Sequence, residues 1–124
     1  MKPRVVYMDD EQVLLEIFQA MFEDEFDVRT FDSPEQALED MQRCEAEIVV
    51  SDLSMPGMNG TKFLTEVARI CPDSRRIMIT GFATAFEMLP EVTSGLVQFF
   101  LAKPWSEKQM REVLERAASL LVRR

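Results

Sequence analysis

Five times along this chain a short apolar run ends on a polar residue and gives way to a segment with apolar residues at helical spacing. The third run is the clearest. Ile48, Val49 and Val50 are β-branched residues in succession, closed by Ser51 and Asp52. No apolar–polar alternation interrupts them, so they predict a strand buried on both faces, as in a parallel sheet. Arg4 to Met8 is the first such run and stops at Asp9-Asp10-Glu11; Val28 to Phe31 is the second. Ile77, Met78 and Ile79 stop at Thr80-Gly81, and Gln98 to Ala102 stop at Lys103-Pro104.

The intervening segments carry helix signals. Val13, Leu14, Ile17, Phe18, Met21 and Phe22 recur on one helical face. Ser33 is a predicted N-cap, with Pro34 at the first helical position and Gln36 at the capping-box position; Ala37, Leu38 and Met41 follow as the apolar face. Phe63, Leu64, Val67 and Ala68 mark a third helix, preceded by a loop from Leu53 to Gly60 and closed before Pro72. A fourth is predicted between Phe82 and Ser94, where Pro90 should break or kink it. Ser106 and Gln109 repeat the capping-box spacing before a last helix with Met110, Val113, Leu114, Ala117 and Leu121 on its apolar face. Strand and helix in strict alternation require an α/β fold, a parallel sheet with helices on both faces. The 124 residues suit one domain, and an apolar share of 47% is enough for its core.

In such folds the reactive crevice lies beyond the carboxyl ends of the strands. Asp9 and Asp10, Asp52, Thr80 and Lys103 all fall on that edge. Taken singly, an Asp at a strand end is a turn or cap residue and Lys103 a solvated surface lysine. Their joint placement at four strand ends is what points to chemistry. Three carboxylates in one crevice repel one another unless a cation or a proton relieves them. The chain contains no His, which excludes imidazole acid–base catalysis and the common zinc sites. Oxygen ligands suit a hard cation such as Mg²⁺ or Ca²⁺. With Lys103 and the Thr80 hydroxyl added, the set suits phosphoryl transfer onto a carboxylate, which is already ionised at neutral pH.

Charge and composition narrow the partners. A net charge of −8 argues against direct contact with nucleic acid. Cys44 and Cys71 make no disulfide framework. No apolar stretch approaches the ~20 residues that span a membrane, and the N-terminal run is too short for a signal peptide. A cytoplasmic setting is the expectation.

The acidic pair Asp9-Asp10, the segment D-L-S-M-P-G-M-N-G from Asp52 to Gly60, Ile79-Thr80-Gly81, and Phe100 with Lys103-Pro104 together resemble the receiver domain of bacterial two-component response regulators. The resemblance covers residues 1–124 as a single receiver domain. It implies a flavodoxin-like, doubly wound (βα)5 fold with a five-stranded parallel sheet in the order 2-1-3-4-5. It implies that Asp52 is the phospho-acceptor, supplied by a histidine kinase or phosphotransfer protein. Mg²⁺ would be held by Asp10, less directly by Asp9, by Asp52 itself and by the backbone carbonyl of Ser54. Lys103 would pair with the phosphoryl group, Thr80 would be the switch hydroxyl, and Phe100 the aromatic that turns inward with it. The Lys103–Pro104 bond would be cis. Such a domain is a phosphorelay switch and not an enzyme in the ordinary sense: it catalyses only its own phosphoryl transfer and self-dephosphorylation. Its output would be a change in the surface of the fourth helix, fifth strand and fifth helix, read by an unknown partner or output domain, or through a phosphorylation-dependent homodimer on that face.

The interval from Thr80 to Lys103 is one residue longer than usual in the family, which with Pro90 leaves the fourth helix open. Trp105 either packs against the start of the last helix or contacts a partner. Ser54 and Phe82, each two residues beyond a site residue, match positions that border the path of the attacking water in receiver domains, so the resemblance implies that they set the lifetime of the phosphate; a bulky Phe82 predicts slow loss. Two other functions compete. A phosphorylation-independent adaptor is disfavoured by the intact set of Asp10, Asp52, Thr80 and Lys103. An aspartate-dependent phosphatase of the haloacid dehalogenase kind would need a D-x-D pattern after the first strand, where this chain has Asp9-Asp10. The chain could be a stand-alone receiver or one cut from a longer protein.

Overall fold

The computed structural model of the chain describes residues 2–53, 58–81, 90 and 94–121. Five strands form one parallel sheet: β1 (Arg4–Met8), β2 (Asp27–Phe31), β3 (Ile48–Asp52), β4 (Arg75–Thr80) and β5 (Phe99–Ala102). Their order across the sheet is β2-β1-β3-β4-β5, as the resemblance implies. Four helices are described: α1 (Gln12–Phe22), α2 (Pro34–Arg43), α3 (Gly60–Ile70) and a C-terminal helix (Glu107–Ser119). The helix expected between Phe82 and Ser94 falls largely outside the described residues. At its end the Ser94 N–H donates to the Pro90 carbonyl at 3.0 Å.

The sheet divides the core because successive side chains on a strand point to opposite faces. Val5, Tyr7, Val50, Ile77 and Ile79 face α1 and the C-terminal helix, meeting Phe18, Phe22, Met110 and Leu114. Val6, Met8, Val49 and Met78 face α2 and α3, meeting Met41, Phe63, Leu64 and Val67. All five residues of β3 are buried, which is why its sequence shows no alternation.

The helix starts follow the sequence. Ser33 accepts the N–H of Gln36, and at Ser106 both halves of the capping box are made, at 3.1 and 2.9 Å. On α1 the buried stripe is Leu15, Phe18 and Phe22. Val13 and Ile17, expected on that face, are 65% and 38% exposed. Helical spacing fixes a periodicity, but several neighbouring apolar positions leave its phase open; here the seat of Phe18 against Tyr7 decides it.

At the far end of the sheet the buried guanidinium of Arg76 secures the entry to β5. It donates to the carbonyls of Ser74, at 3.0 Å, and of Gly95, at 3.2 Å, while the Arg76 N–H donates to Gln98 Oε1. Gly95 has φ +81°, a conformation that needs glycine.

Candidate functional site

The carboxyl ends of β1, β3, β4 and β5 bring Asp9, Asp10, Asp52, Thr80 and Lys103 to one edge. Register does this. Asp52 is paired with Ile79, so the Asp52 and Thr80 ends are level, and the Lys103 N–H donates to the Thr80 carbonyl at 2.8 Å. Asp9, Asp52 and Thr80 are buried, and Asp10 is exposed. The Lys103–Pro104 peptide bond is cis.

Gly60 opens α3 against the same edge. A Cβ there would lie 2.8 Å from Leu53 Cα and closer still to the Asp52 carbonyl oxygen. The backbone of α3 can approach the end of β3 only because residue 60 has no side chain. Asn59 caps the helix, accepting the Lys62 N–H at 2.8 Å.

Lys103 is the hub of the charges. Its Nζ lies 2.5 Å from Asp52 Oδ2, 3.5 Å from Glu11 Oε2 and 3.9 Å from Asp9 Oδ2. Burial alone would lower the ammonium pKa. The hydrogen bond to Asp52 and the charges of Asp9, Asp52 and Glu11 outweigh it, so the net shift is upward and the cation is held. Asp9 is pushed up from the usual carboxylate range, chiefly by burial, with the Asp52 charge adding to it. The Glu11 N–H, the Tyr7 hydroxyl and Lys103 oppose that rise.

One oxygen from each of Asp9, Asp10 and Asp52 lies within 4.8 Å of the others. Three carboxylate oxygens this close, one pair on a strand end and one on its neighbour, match what a hard divalent cation accepts. The donor set therefore fits Mg²⁺. The fourth protein ligand expected, the Ser54 carbonyl, lies outside the described residues, as does Phe82. Phe100 is half-buried and packs against the cluster around Met78.

Two contacts were not read from the sequence. Glu11 reaches Lys103, and the Tyr7 hydroxyl donates to Asp9 Oδ2 at 2.8 Å. The signal for the second was a Tyr in an aliphatic run, two residues before an Asp and so on the same strand face. Trp105 is half-buried and packs on the core cluster that includes Met110 and Leu114 of the C-terminal helix. Its ring meets Tyr7 and Phe18 edge-on, each at 6.3 Å. Beside it a groove of about 560 Å³ opens, lined by Glu11, Leu14, Ile17, Met21, Lys103 and Trp105 among others.

Comparison with known proteins agrees with this geometry. The sequence pattern of the response regulator receiver domain matches residues 5–115. The hydrogenase transcriptional regulatory protein HoxA of Cupriavidus necator is 26% identical over 113 residues, covering 91% of this chain and 23% of that protein. The sensor histidine kinase GacS of Pseudomonas protegens is 31% identical over 128 residues, covering 98% of this chain and 14% of that protein. The chain thus spans about a quarter or less of these two relatives. The chemotaxis response regulator CheY4 of Vibrio cholerae superposes with a TM-score of 0.86 at 21% identity, covering 94% of this chain and 99% of that one. At that identity it speaks for the fold.

Proposed function

The chain belongs to the response regulator receiver domain family, and from that premise we propose that Asp52 is the phospho-acceptor of a two-component signalling switch formed by residues 1–124. The observation that carries this reading is the Lys103–Asp52 pair beside the oxygens of Asp9 and Asp10. On this reading Asp52 would be the carboxylate nucleophile, Lys103 its fixed cation, and the three carboxylates the holders of a divalent cation, all at the carboxyl edge of the sheet.

Asp9, Asp10, Asp52 and the Ser54 carbonyl would hold Mg²⁺, which supplies charge neutralisation for the incoming phosphoryl group. An Asp52 carboxylate oxygen attacks phosphorus, and the P–N bond to the donor's phosphohistidine breaks. The electron pair of that bond returns to the imidazole nitrogen, leaving an acyl phosphate on Asp52. Lys103 moves from the carboxylate to the new phosphoryl oxygens, a charge-assisted contact. The Thr80 hydroxyl donates to another of them, and Phe100 follows Thr80. The changed surface is that of the expected fourth helix with β5 and the C-terminal helix. Moving such a switch from nearly all inactive to nearly all active takes roughly 5.5 kcal/mol of differential binding.

The donor is a histidine kinase or phosphotransfer protein. It must bring a phosphohistidine to Asp52, so its surface has to lie beside Lys103, where the apolar groove opens. Ser54 and Phe82 set how fast water removes the phosphate, and Phe82→Ala is expected to speed its loss. The domain acts on no separate substrate, and its output passes to an unknown partner or attached domain, or through a homodimer. Its acidic charge keeps it from binding nucleic acid directly. No described helix is long and apolar enough to cross a membrane; a cytoplasmic place is proposed with the kinase-fed reading. The test is labelling by acetyl phosphate with Mg²⁺: Asp52→Asn should abolish it, and retention of labelling at an unchanged rate would overturn the assignment.

A further inference from the structure

Tyr7 interrupts a strand that is otherwise aliphatic after its first residue. Its side chain is fully buried on the α1 face. The ring stacks on Phe18 with 4.3 Å between centroids and 12° between planes, and Trp105 closes on it edge-on at 88°. A phenol buried so completely needs a partner for its hydroxyl. That partner is Asp9 Oδ2, at 2.8 Å. The other Asp9 oxygen accepts the Glu11 N–H at 3.0 Å. Two donors, one from the strand and one from the start of α1, leave the carboxylate a single orientation. In that orientation an Asp9 oxygen meets those of Asp10 and Asp52.

We propose that Tyr7 is a positioning residue for the divalent-cation site: its hydroxyl fixes the Asp9 carboxylate in the orientation that faces the cation, and Trp105 fixes Tyr7. This rests on the reading of Asp9, Asp10 and Asp52 as a Mg²⁺ site. The simpler account is a core tyrosine that uses Asp9 only to satisfy its own hydroxyl. The two accounts differ in what happens to metal affinity when the hydroxyl is removed and the ring kept. Carboxylates that hold metals depend on their outer hydrogen bonds, and losing one costs about tenfold or more in affinity.

Mg²⁺ binding is measured by calorimetry on the whole chain, with thermal melts in the absence of Mg²⁺ as the control for folding. Tyr7→Phe keeps the stack on Phe18 and is expected to weaken Mg²⁺ binding about tenfold. In an Asp9→Asn background the same substitution should change affinity little, because Tyr7 acts through Asp9. Equal affinity of Tyr7→Phe and the unsubstituted chain overturns the proposal and leaves the Mg²⁺ site standing. An equal loss in both backgrounds also overturns it. Trp105→Phe leaves the hydroxyl in place and loosens its packing; it should weaken binding by a smaller factor, and an unchanged affinity overturns the part assigned to Trp105. Failure of the unsubstituted chain to bind Mg²⁺ overturns both the proposal and the reading it rests on.

Discussion

Lys103 Nζ stands 2.5 Å from Asp52 Oδ2, so a single ammonium joins the end of β5 to the end of β3. The same nitrogen reaches Glu11 at the start of α1 and Asp9 at the end of β1. Three carboxylates from three parts of the chain share one cation. The lysine is thus held in a defined arrangement, already engaged where the proposed phosphoryl group would claim it. On the proposed reading, switching would be an exchange of partners at Lys103, from the Asp52 carboxylate to the phosphoryl oxygens.

Removal of that ammonium should be felt first in stability. Lys103→Met leaves buried Asp52 and Asp9 facing each other without compensation. Breaking a buried pair costs ~3–5 kcal/mol, and partial exposure of the lysine reduces this to roughly 2 kcal/mol. Urea denaturation at neutral pH measures it. Added Mg²⁺ should restore part of the loss, because a ligand bound by the native state alone stabilises it.

Asp9→Asn should act in the opposite direction on the metal-free domain. Burial raises the Asp9 pKa, so the folded chain holds a proton there at pH values where the unfolded chain has released it. Below the ordinary carboxylate range both states are protonated and the charge has no cost. As pH rises through that range and then through the raised value, the unfolded state is increasingly favoured. Asp9→Asn escapes this penalty. It is expected to melt several degrees above the unsubstituted chain at pH 7 without Mg²⁺, and level with it near pH 3. Saturating Mg²⁺ should shrink or reverse the difference. Melting curves across pH, with and without Mg²⁺, test both signs.

Gly60→Ala probes the contact between α3 and the acceptor strand. The added methyl meets backbone atoms of Asp52 and Leu53, which cannot rotate aside as a side chain would. Overpacking of this kind costs roughly 2 kcal/mol. Since the strain falls on the residue that carries the carboxylate, acetyl phosphate labelling should slow as well. Thermal denaturation and labelling rate, measured on the same variant, check the two effects together.

Much of this was legible because the chain states its fold redundantly. The Ile48–Val50 run could only be a strand covered on both sides, and Ser33 and Ser106 announced their helices through local chemistry. The site was legible for a related reason: parallel strands place their last residues on one edge whatever lies between. What escaped were choices made by tertiary packing. Leu15, and not Val13, turns inward because Phe18 stacks on Tyr7. Glu11 joins Lys103 across ninety-two positions, a pairing no local pattern encodes. The buried Arg76 looks on paper like a strand-edge charge; the carbonyls of Ser74 before it and of Gly95 and Leu96 in the turn before β5 make its burial tolerable.

The phase of α1 also leads to a test that separates docking from chemistry. Because Leu15, Phe18 and Phe22 hold the helix, Ile17 is left on the wall of the groove beside Lys103. Ile17→Glu should cost the fold little, since the position is 38% exposed. A protein donor seated in the groove would lose an apolar contact and meet a buried charge, for a loss of about 1.4 kcal/mol, or tenfold. Acetyl phosphate is too small to need the groove. Transfer from a histidine kinase or phosphotransfer protein able to phosphorylate the unsubstituted chain should therefore fall about tenfold, with acetyl phosphate labelling unchanged. A parallel fall in both reactions would place the effect at Asp52 and remove the groove from the donor's path.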